Sequence, residues 1–170
     1  STMKPVKELV HQSINEIESL HQRGGGLSGL PSGFIDLDKL TSGFQNGDLI
    51  VIAARPSAGK SSLLMNIVEY LAVKEAVPCG VFSLEMTARS LMTRMLCGRA
   101  RINLRSIADG FMMERDFPKL TRSASDLNRT ALYVDDESGL TIGEIRARAR
   151  RMVRQFGVKF IGVDYIQLAS

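Results

Sequence analysis

The feature that most constrains the fold is a short segment that joins an apolar run to a helical pattern. It reads ARPSAGKS over residues 54–61, and residues 49–53 before it are continuously apolar. Such a run is typical of a strand buried on both faces of a sheet. Residues 61–75 carry apolar positions at helical spacing. A glycine-containing turn between a strand and a helix N-terminus directs backbone N–H groups at a phosphate. The segment therefore predicts a phosphate-binding loop in an α/β fold.

The residues of this loop have distinct chemical parts to play. Gly59 lets the chain turn beside a ligand without a Cβ in the way. Lys60 can reach the β- and γ-phosphates of a nucleotide, and the Ser61 hydroxyl can coordinate Mg²⁺. The general pattern of such loops is G-x-x-x-x-G-K-[ST], and Ala54 stands in the place of its first glycine. An alanine is acceptable there only if that residue has a negative φ. The alternative is a chance Gly-Lys-Ser in a loop, which the flanking strand and helix patterns disfavour.

Two acidic residues stand at the ends of predicted strands. Asp164 ends the apolar segment 160–164, and a carboxylate in this place holds the Mg²⁺ shell, usually through water. Glu85 follows a strand predicted at 79–84 and could polarise a water for in-line attack on a γ-phosphate. Carboxyl ends of parallel strands share the edge at which open α/β sheets bind ligands. Each residue also has a structural alternative, Asp164 as a turn cap and Glu85 as a solvent-facing cap of the next helix.

Strands alternate with helices along the rest of the chain. Thr141 and Glu144 form a T-x-x-E capping box that opens an arginine-rich helix. The alternation predicts a mostly parallel sheet covered by helices on both faces. The predicted strands are 49–53, 79–84, 131–134 and 158–163, and the predicted helices are 4–22, 61–75, 87–97, 104–108, 116–128 and 141 to about 156.

The N-terminal segment is predicted to be a separate piece. Ser1 and Thr2 before Met3 are interpreted as a vector-derived remnant. Residues 4–22 carry an apolar stripe at helical spacing, formed by Val6, Leu9, Val10, Ile14, Ile17 and Leu20. A single helix cannot bury such a stripe alone, so it must dock on the domain or on a neighbour. The glycines at 24–26 form a joint, which divides the chain into 1–26 and an ATPase domain at 27–170.

Composition excludes some classes of protein. The chain has 170 residues, 44% of them hydrophobic and 24% charged, as in a soluble globular domain. Lys plus Arg is 22 against 18 for Asp plus Glu, an excess of 4 that is too small to argue for a polyanionic partner. No apolar run reaches the roughly 20 residues of a membrane span. We therefore expect no membrane partner. Cys79 and Cys97 have no metal-like spacing and are interpreted as free thiols of a reducing compartment, which favours a cytoplasmic protein.

Taken together, these motifs resemble those of DnaB-type replicative helicases. The matching segments are AARPSAGKS at 53–61, FSLEM at 82–86 and DYIQL at 164–168, in the family's order. The entry segment 33–48 and the residues 139–142 before the arginine-rich helix are also similar, so the resemblance covers about residues 6 to 168. Ala54 is normal for this family, whereas Ala58 stands where the family usually has methionine.

The resemblance implies a RecA-like P-loop fold. It also implies that the protein is a hexameric 5′→3′ DNA helicase, driven by hydrolysis of ATP with Mg²⁺ as cofactor. Glu85 would be the catalytic base, with Lys60 and Arg94 as further catalytic residues. Arg94, a lone arginine on a helix, has the structural alternative of a solvated side chain. Asp164 and Ser61 would hold the metal. The phosphates would be bound by Ser57, Ala58, Gly59, Lys60, Ser61 and Ser62. The helix at 4–22 would be the linker helix that packs on the adjacent subunit, and single-stranded DNA, a helicase loader and primase are the expected partners.

The resemblance also implies that further strands, the DNA-facing loops, a glutamine sensor and an arginine finger would follow residue 170. One of these strands would lie between the strand before the phosphate loop and the Asp164 strand. We therefore expect the chain alone to bind nucleotide weakly and to neither hydrolyse it efficiently nor unwind DNA. Two other functions stay open at this point. One is a RecA-like recombinase or repair ATPase, a class of protein that lacks the ARPSxGKS and DYIQL sequence motifs. The other is a nucleotide-gated oligomerisation module with little turnover.

Two charged features have structural alternatives. The arginines of the last helix, at 146, 148, 150, 151 and 154, could contact DNA, but a solvated or subunit-contact face is favoured. The acidic triplet at 135–137 could suggest a metal site, although turn and cap chemistry explains it as well.

Overall fold

A computed structural model describes residues 3–22 and 26–165. Its chain divides into two compact units, residues 1–50 and residues 51–170. The predicted remnant at 1–2, most of the glycine joint at 24–26 and residues 166–168 of the DYIQL segment lie outside the described residues. No helix in the described ranges is long and apolar enough to cross a membrane.

The first unit contains two helices, α1 (Val6–Gln22) and α2 (Ile35–Thr41). The α1 prediction is confirmed, whereas α2 lies between the predicted elements, where no helix was expected. Asp38 of α2 is buried and its carboxylate accepts the backbone N–H of Ser32 at 2.7 Å. This contact and an antiparallel bridge between Leu30 and Phe44 hold the segment. A helix of 7 residues fixed by such contacts shows no hydrophobic period, so the sequence pattern did not indicate it.

The second unit contains a parallel sheet of three strands in the order β2-β1-β3. The strands are β1 (Cys79–Ser83), β2 (Leu132–Asp135) and β3 (Phe160–Asp164). Every residue of the central strand β1 is buried, as its apolar run predicted. The register pairs Cys79 with Leu132 on one side and with Phe160 on the other. The carboxyl ends of all three strands therefore lie at one edge.

Helices cover both faces of this sheet, as predicted. On one face Gly162 of β3 faces Leu64 of the helix that follows the phosphate loop, and on the other Gly80 of β1 faces Met152. The helices are α3 (Lys60–Glu69), continued by a π-helical turn at Tyr70–Lys74, α4 (Ala88–Ala100), α5 (Leu104–Ala108), a 3₁₀ turn at Glu114–Asp116, α6 (Phe117–Asn128) and α7 (Ile142–Phe156). The core on the α7 side includes Phe82, Leu140 and Val158.

Side chains cap the helices that begin near the ligand edge of the sheet. Thr141 Oγ1 accepts the Glu144 N–H at 3.2 Å, and the Glu144 carboxylate accepts the Thr141 N–H at 2.8 Å, which confirms the predicted capping box. Thr87 caps α4 by accepting the Ser90 N–H at 3.2 Å. Asp136 accepts the N–H of Ala88 at 2.7 Å and so joins the loop after β2 to the start of α4.

The predicted strand at 49–53 is wrong. These residues pair with no other segment in the described part of the chain, and Leu49 and Val51 are 88% and 77% exposed. An apolar run becomes a strand only where a neighbour supplies hydrogen-bond partners. The central strand β1 has β2 and β3 as its two neighbours, and residues 49–53 pair with the free edge of neither.

Candidate nucleotide-binding site

The phosphate loop turns tightly just before α3. Gly59 is the N-cap of α3 with φ +94°, and Ser57 has φ +62°. The Ala58 N–H donates to the Arg55 carbonyl at 3.2 Å. A Cβ added at Gly59 would meet nothing within 4 Å, so the glycine is required by its left-handed backbone rather than by crowding. Ala54 keeps a negative φ, which is the condition for an alanine at that position. The first-turn N–H groups of α3 have no intrahelical acceptor and can serve an anion.

The start of α3 and the end of β3 meet through a side-chain hydrogen bond. Ser61 Oγ donates to Asp164 Oδ1 at 3.0 Å across 103 residues of sequence. Asp164 is only 5% exposed, so its carboxylate is held in place by the surrounding fold. Beside it, the Lys60 ammonium lies 5.3 Å from the centre of the Tyr165 ring, within cation–π range. The structure thus brings together Lys60, Ser61 and Asp164 at the ligand edge of the sheet.

Glu85 is presented on the turn that follows β1. Its side chain is exposed, and the residue before it, Leu84, donates its N–H to the Asp164 carbonyl at 2.8 Å. In the register of the sheet Ser83 pairs with Asp164, so Glu85 follows that pair by two residues. The buried Ser83 hydroxyl donates to the Met86 carbonyl at 2.7 Å. An exposed carboxylate at this edge can accept a proton from water.

Two predicted site residues have no contact that bears on their roles. Ser62 is exposed in the first turn of α3. Arg94 is exposed on α4 and joins no hydrogen bond or ion pair in the part of the chain that the structure describes. The roles assigned to both residues therefore stay predictions.

The acidic triplet after β2 is used in structural contacts. Asp135 and Glu137 both pair with Arg148 of α7, at 2.9 and 2.5 Å. These carboxylates raise the pKa of the Arg148 guanidinium. Asp136 caps α4, and among the described residues no cluster of three acidic, histidine or cysteine side chains could hold a metal ion. The other four arginines of α7, at positions 146, 150, 151 and 154, lie outside these ion pairs.

Sequence reasoning missed two residues that support the site without lying in it. Arg99 of α4 pairs with Glu69 of α3 at 2.8 Å and with Asp126 of α6 at 2.5 Å, which ties the helix of the phosphate loop to its neighbours. The Arg99 hydrogen bond is the main reason why the pKa of Asp126 is lowered. Ser83 is the second residue, and a serine at the end of a fully apolar strand was the signal available for it.

Known proteins resemble the chain in sequence and in structure. The family model of the DnaB-like helicase C-terminal domain matches residues 29–170. Replicative DNA helicase DnaC of Bacillus subtilis (strain 168) is 41% identical over 168 residues, which cover 99% of this chain and 37% of the relative. Replicative DNA helicase DnaB of Geobacillus stearothermophilus is 41% identical over 165 residues, which cover 97% and 36%. The chain thus spans little more than a third of the length of these relatives.

Two solved structures share the fold. One is an ATPase domain that superposes with a TM-score of 0.89 at 26% identity. The match covers 99% of this chain and 60% of that ATPase domain. The other is a DnaB-like replicative helicase, solved to show its interactions with primase, with a TM-score of 0.83 at 26% identity and coverage of 100% and 41%. The parallel sheet with helices on both faces is therefore RecA-like, and the chain belongs to the DnaB-like helicase C-terminal domain family.

Proposed function

We propose that the chain forms the front part of the motor domain of a hexameric replicative DNA helicase (the full helicase). The full helicase would hydrolyse ATP at subunit interfaces and move 5′→3′ on single-stranded DNA. The observation that carries the proposal is the 3.0 Å hydrogen bond between Ser61 and Asp164, in a chain of this family. It joins the two elements between which P-loop enzymes bind nucleotide and metal.

The donor groups at this edge fit a magnesium nucleotide. The backbone of Ser57, Ala58 and Gly59, with the first turn of α3 including Ser62, would bind the phosphates. The Lys60 ammonium would contact the β- and γ-phosphates. The hydroxyl of Ser61 and the carboxylate of Asp164 are hard oxygen ligands of the kind that Mg²⁺ takes. A bound Mg²⁺ would neutralise negative charge on the phosphate oxygens.

The exposed carboxylate of Glu85 would act as the general base. It would accept a proton from the water that attacks the γ-phosphate, because it stands at the same sheet edge as Asp164. Arg94, on the helix that follows, would contact the nucleotide as a charge-stabilising residue.

The exposed stripe of α1 supports assembly with further copies of the chain. Its apolar side chains at positions 6, 9, 10, 14 and 17 are 44 to 73% exposed. A second exposed apolar surface lies around α5 and α6, formed by Leu104, Phe111, Met113 and Phe117. α1 carries three glutamates against one lysine, whereas residues 114–129 carry four basic residues (Arg115, Lys119, Arg122 and Arg129) against three acidic ones. We propose that α1 of one subunit docks on this surface of the next.

The remaining partners follow from the helicase role. Single-stranded DNA would be the track, and a loader and primase would be protein partners. Primase is supported by the related DnaB-like helicase structure that was solved for its interactions with primase. The described cysteines are free thiols, which suits the cytoplasmic location that we propose for a replication protein.

Lys60→Ala in the full helicase tests the proposal, with Lys159→Ala as a control at an exposed lysine before β3. We expect Lys60→Ala to abolish ATP hydrolysis and unwinding while the hexamer persists in light scattering, and Lys159→Ala to keep all three. Loss of the hexamer would instead support a nucleotide-gated oligomerisation module. Full unwinding by Lys60→Ala would contradict a motor driven from this loop.

A further inference from the structure

Ser83 is a buried polar residue with no direct part in the proposed reaction. It ends β1 with 2% of its surface exposed, and its hydroxyl donates to the Met86 carbonyl at 2.7 Å. This bond closes a ring around Leu84 and Glu85. The side chain of Ser83 therefore fixes the backbone of the turn from which the Glu85 carboxylate projects.

The same turn is anchored at two further points. On one side, the Leu84 N–H donates to the Asp164 carbonyl at 2.8 Å, and the carboxylate of that same Asp164 accepts the Ser61 hydroxyl. On the other side, Asp136 accepts the Ala88 N–H at 2.7 Å and fixes the start of α4. Between these anchors, Ser83 supplies the one side-chain bond among the described residues that spans Glu85 itself.

We infer that Ser83 is a positioning residue for Glu85, an inference that rests on the proposed function. Without the hydroxyl, the Met86 carbonyl loses its donor and the turn gains freedom. If the Glu85 carboxylate moves away from the attacking water, the chemical step slows, because proton transfer needs a close and well-oriented base. Nucleotide affinity is set by the phosphate loop and Asp164 on other segments, so it is maintained.

The test compares two serine substitutions in the full helicase. Ser123 of α6 provides a matched control, because it is 3% exposed and its hydroxyl also donates to a backbone carbonyl, that of Leu96 at 3.0 Å. We expect Ser83→Ala and Ser123→Ala to lower Tm by similar amounts and to keep ADP affinity within about twofold. Only Ser83→Ala should slow single-turnover ATP hydrolysis, by about 10- to 100-fold.

A double-substitution cycle separates positioning from a general loss of stability. In a Glu85→Gln background the Ser83→Ala change should have no further effect on single-turnover hydrolysis, although it still lowers Tm. If Ser83→Ala does not fold, Ser83→Cys replaces it, since a thiol is similar in size and a weaker donor. Its hydrolysis rate should fall between those of wild type and Glu85→Gln.

The outcomes that overturn the inference are distinct from those that overturn the function. Hydrolysis at the wild-type rate by Ser83→Ala, or an equal further loss in the Glu85→Gln background, overturns the positioning role alone. Absence of hydrolysis in the wild-type full helicase, or full hydrolysis by Glu85→Gln, overturns the proposed function and the inference together.

Discussion

Gly162 of β3 limits how closely α3 approaches the sheet. A Cβ added at Gly162 of β3 would lie 2.9 Å from Cδ1, 3.2 Å from Cδ2 and 3.3 Å from Cγ of Leu64. Leu64 lies one turn after Ser61 on α3, so the distance between α3 and β3 also governs whether the Ser61 hydroxyl reaches Asp164. A packing residue on the strand thus controls the geometry of the proposed metal ligands.

We therefore expect Gly162→Ala to weaken magnesium nucleotide binding by the full helicase. The added methyl group should also destabilise the fold by about 1–3 kcal/mol, as overpacking does. Gly80→Ala on the opposite face is the control, because its Cβ would meet the Met152 sulfur at 2.6 Å and other atoms only at 3.6 Å or beyond. A thioether end can move aside. Urea unfolding and ADP titration measure both effects, and equal affinity loss in the two variants would contradict the argument.

At the scale of elements, α7 is fastened at its start by charge and by capping. Glu144 accepts the N–H and the hydroxyl of Thr141, both at 2.8 Å. These hydrogen bonds, the backbone one first, lower the pKa of Glu144 from its ordinary value of 4.5. A carboxylate whose pKa is lower in the folded state stabilises the fold above its unfolded pKa, and this contribution is lost as the pH falls through the folded value.

Glu144→Gln should accordingly lower stability at pH 7 and make little difference at a pH below the lowered pKa of Glu144. The reason is that the wild-type side chain is itself neutral at the lower pH. Glu75→Gln serves as the control, at an exposed glutamate whose side chain makes no hydrogen bond in the described part. The measurement is urea unfolding of both variants and wild type across this pH range. A Glu144→Gln effect that stays constant with pH would contradict the capping argument.

Local patterns predicted the elements that depend on local chemistry. The apolar run of β1 and the T-x-x-E box of α7 indicated both elements correctly, because burial on two faces and capping leave marks in adjacent residues. The shared edge of Asp164 and Glu85 also followed, since parallel strands end together. The segment 49–53 failed because strand formation depends on a neighbour. Arg99 and Ser83 were missed because their partnerships arise only in the folded chain.

At the scale of the whole molecule, the segment leading into the phosphate loop is unsupported. Residues 49–53 pair with no strand in the described ranges, so one flank of the loop is not held by the sheet. Ordering that flank on nucleotide binding would cost roughly 1–2 kcal/mol per residue in backbone entropy. We therefore expect the loop to be less pre-organised in this chain alone than in the full helicase, in which a further strand is expected beside that flank.

We expect the 170-residue chain to bind a fluorescent ADP analogue at least about tenfold more weakly than the full helicase. The same chain should show no ATP turnover comparable to that of the full helicase. Titration by fluorescence anisotropy, with the Lys60→Ala form of each protein as the background, measures the difference. Equal affinity in the two proteins would show that the loop needs no support from a paired strand.

The apolar stripe of α1 needs a surface to cover it, because its side chains are exposed in the described first unit. Ile14 and Ile17 are 46% and 64% exposed. Burial of such surface contributes about 25 cal/mol per Å², and a neighbouring subunit that covers the stripe provides this stabilisation.

Ile14→Glu in the full helicase should therefore convert the hexamer to smaller species in light scattering, since it places a charge in the contact. Gln12→Glu, on the opposite face of the helix, adds the same charge and should leave the hexamer intact. A hexamer that survives Ile14→Glu would mean that α1 does not hold the ring together, whatever the fate of Gln12→Glu.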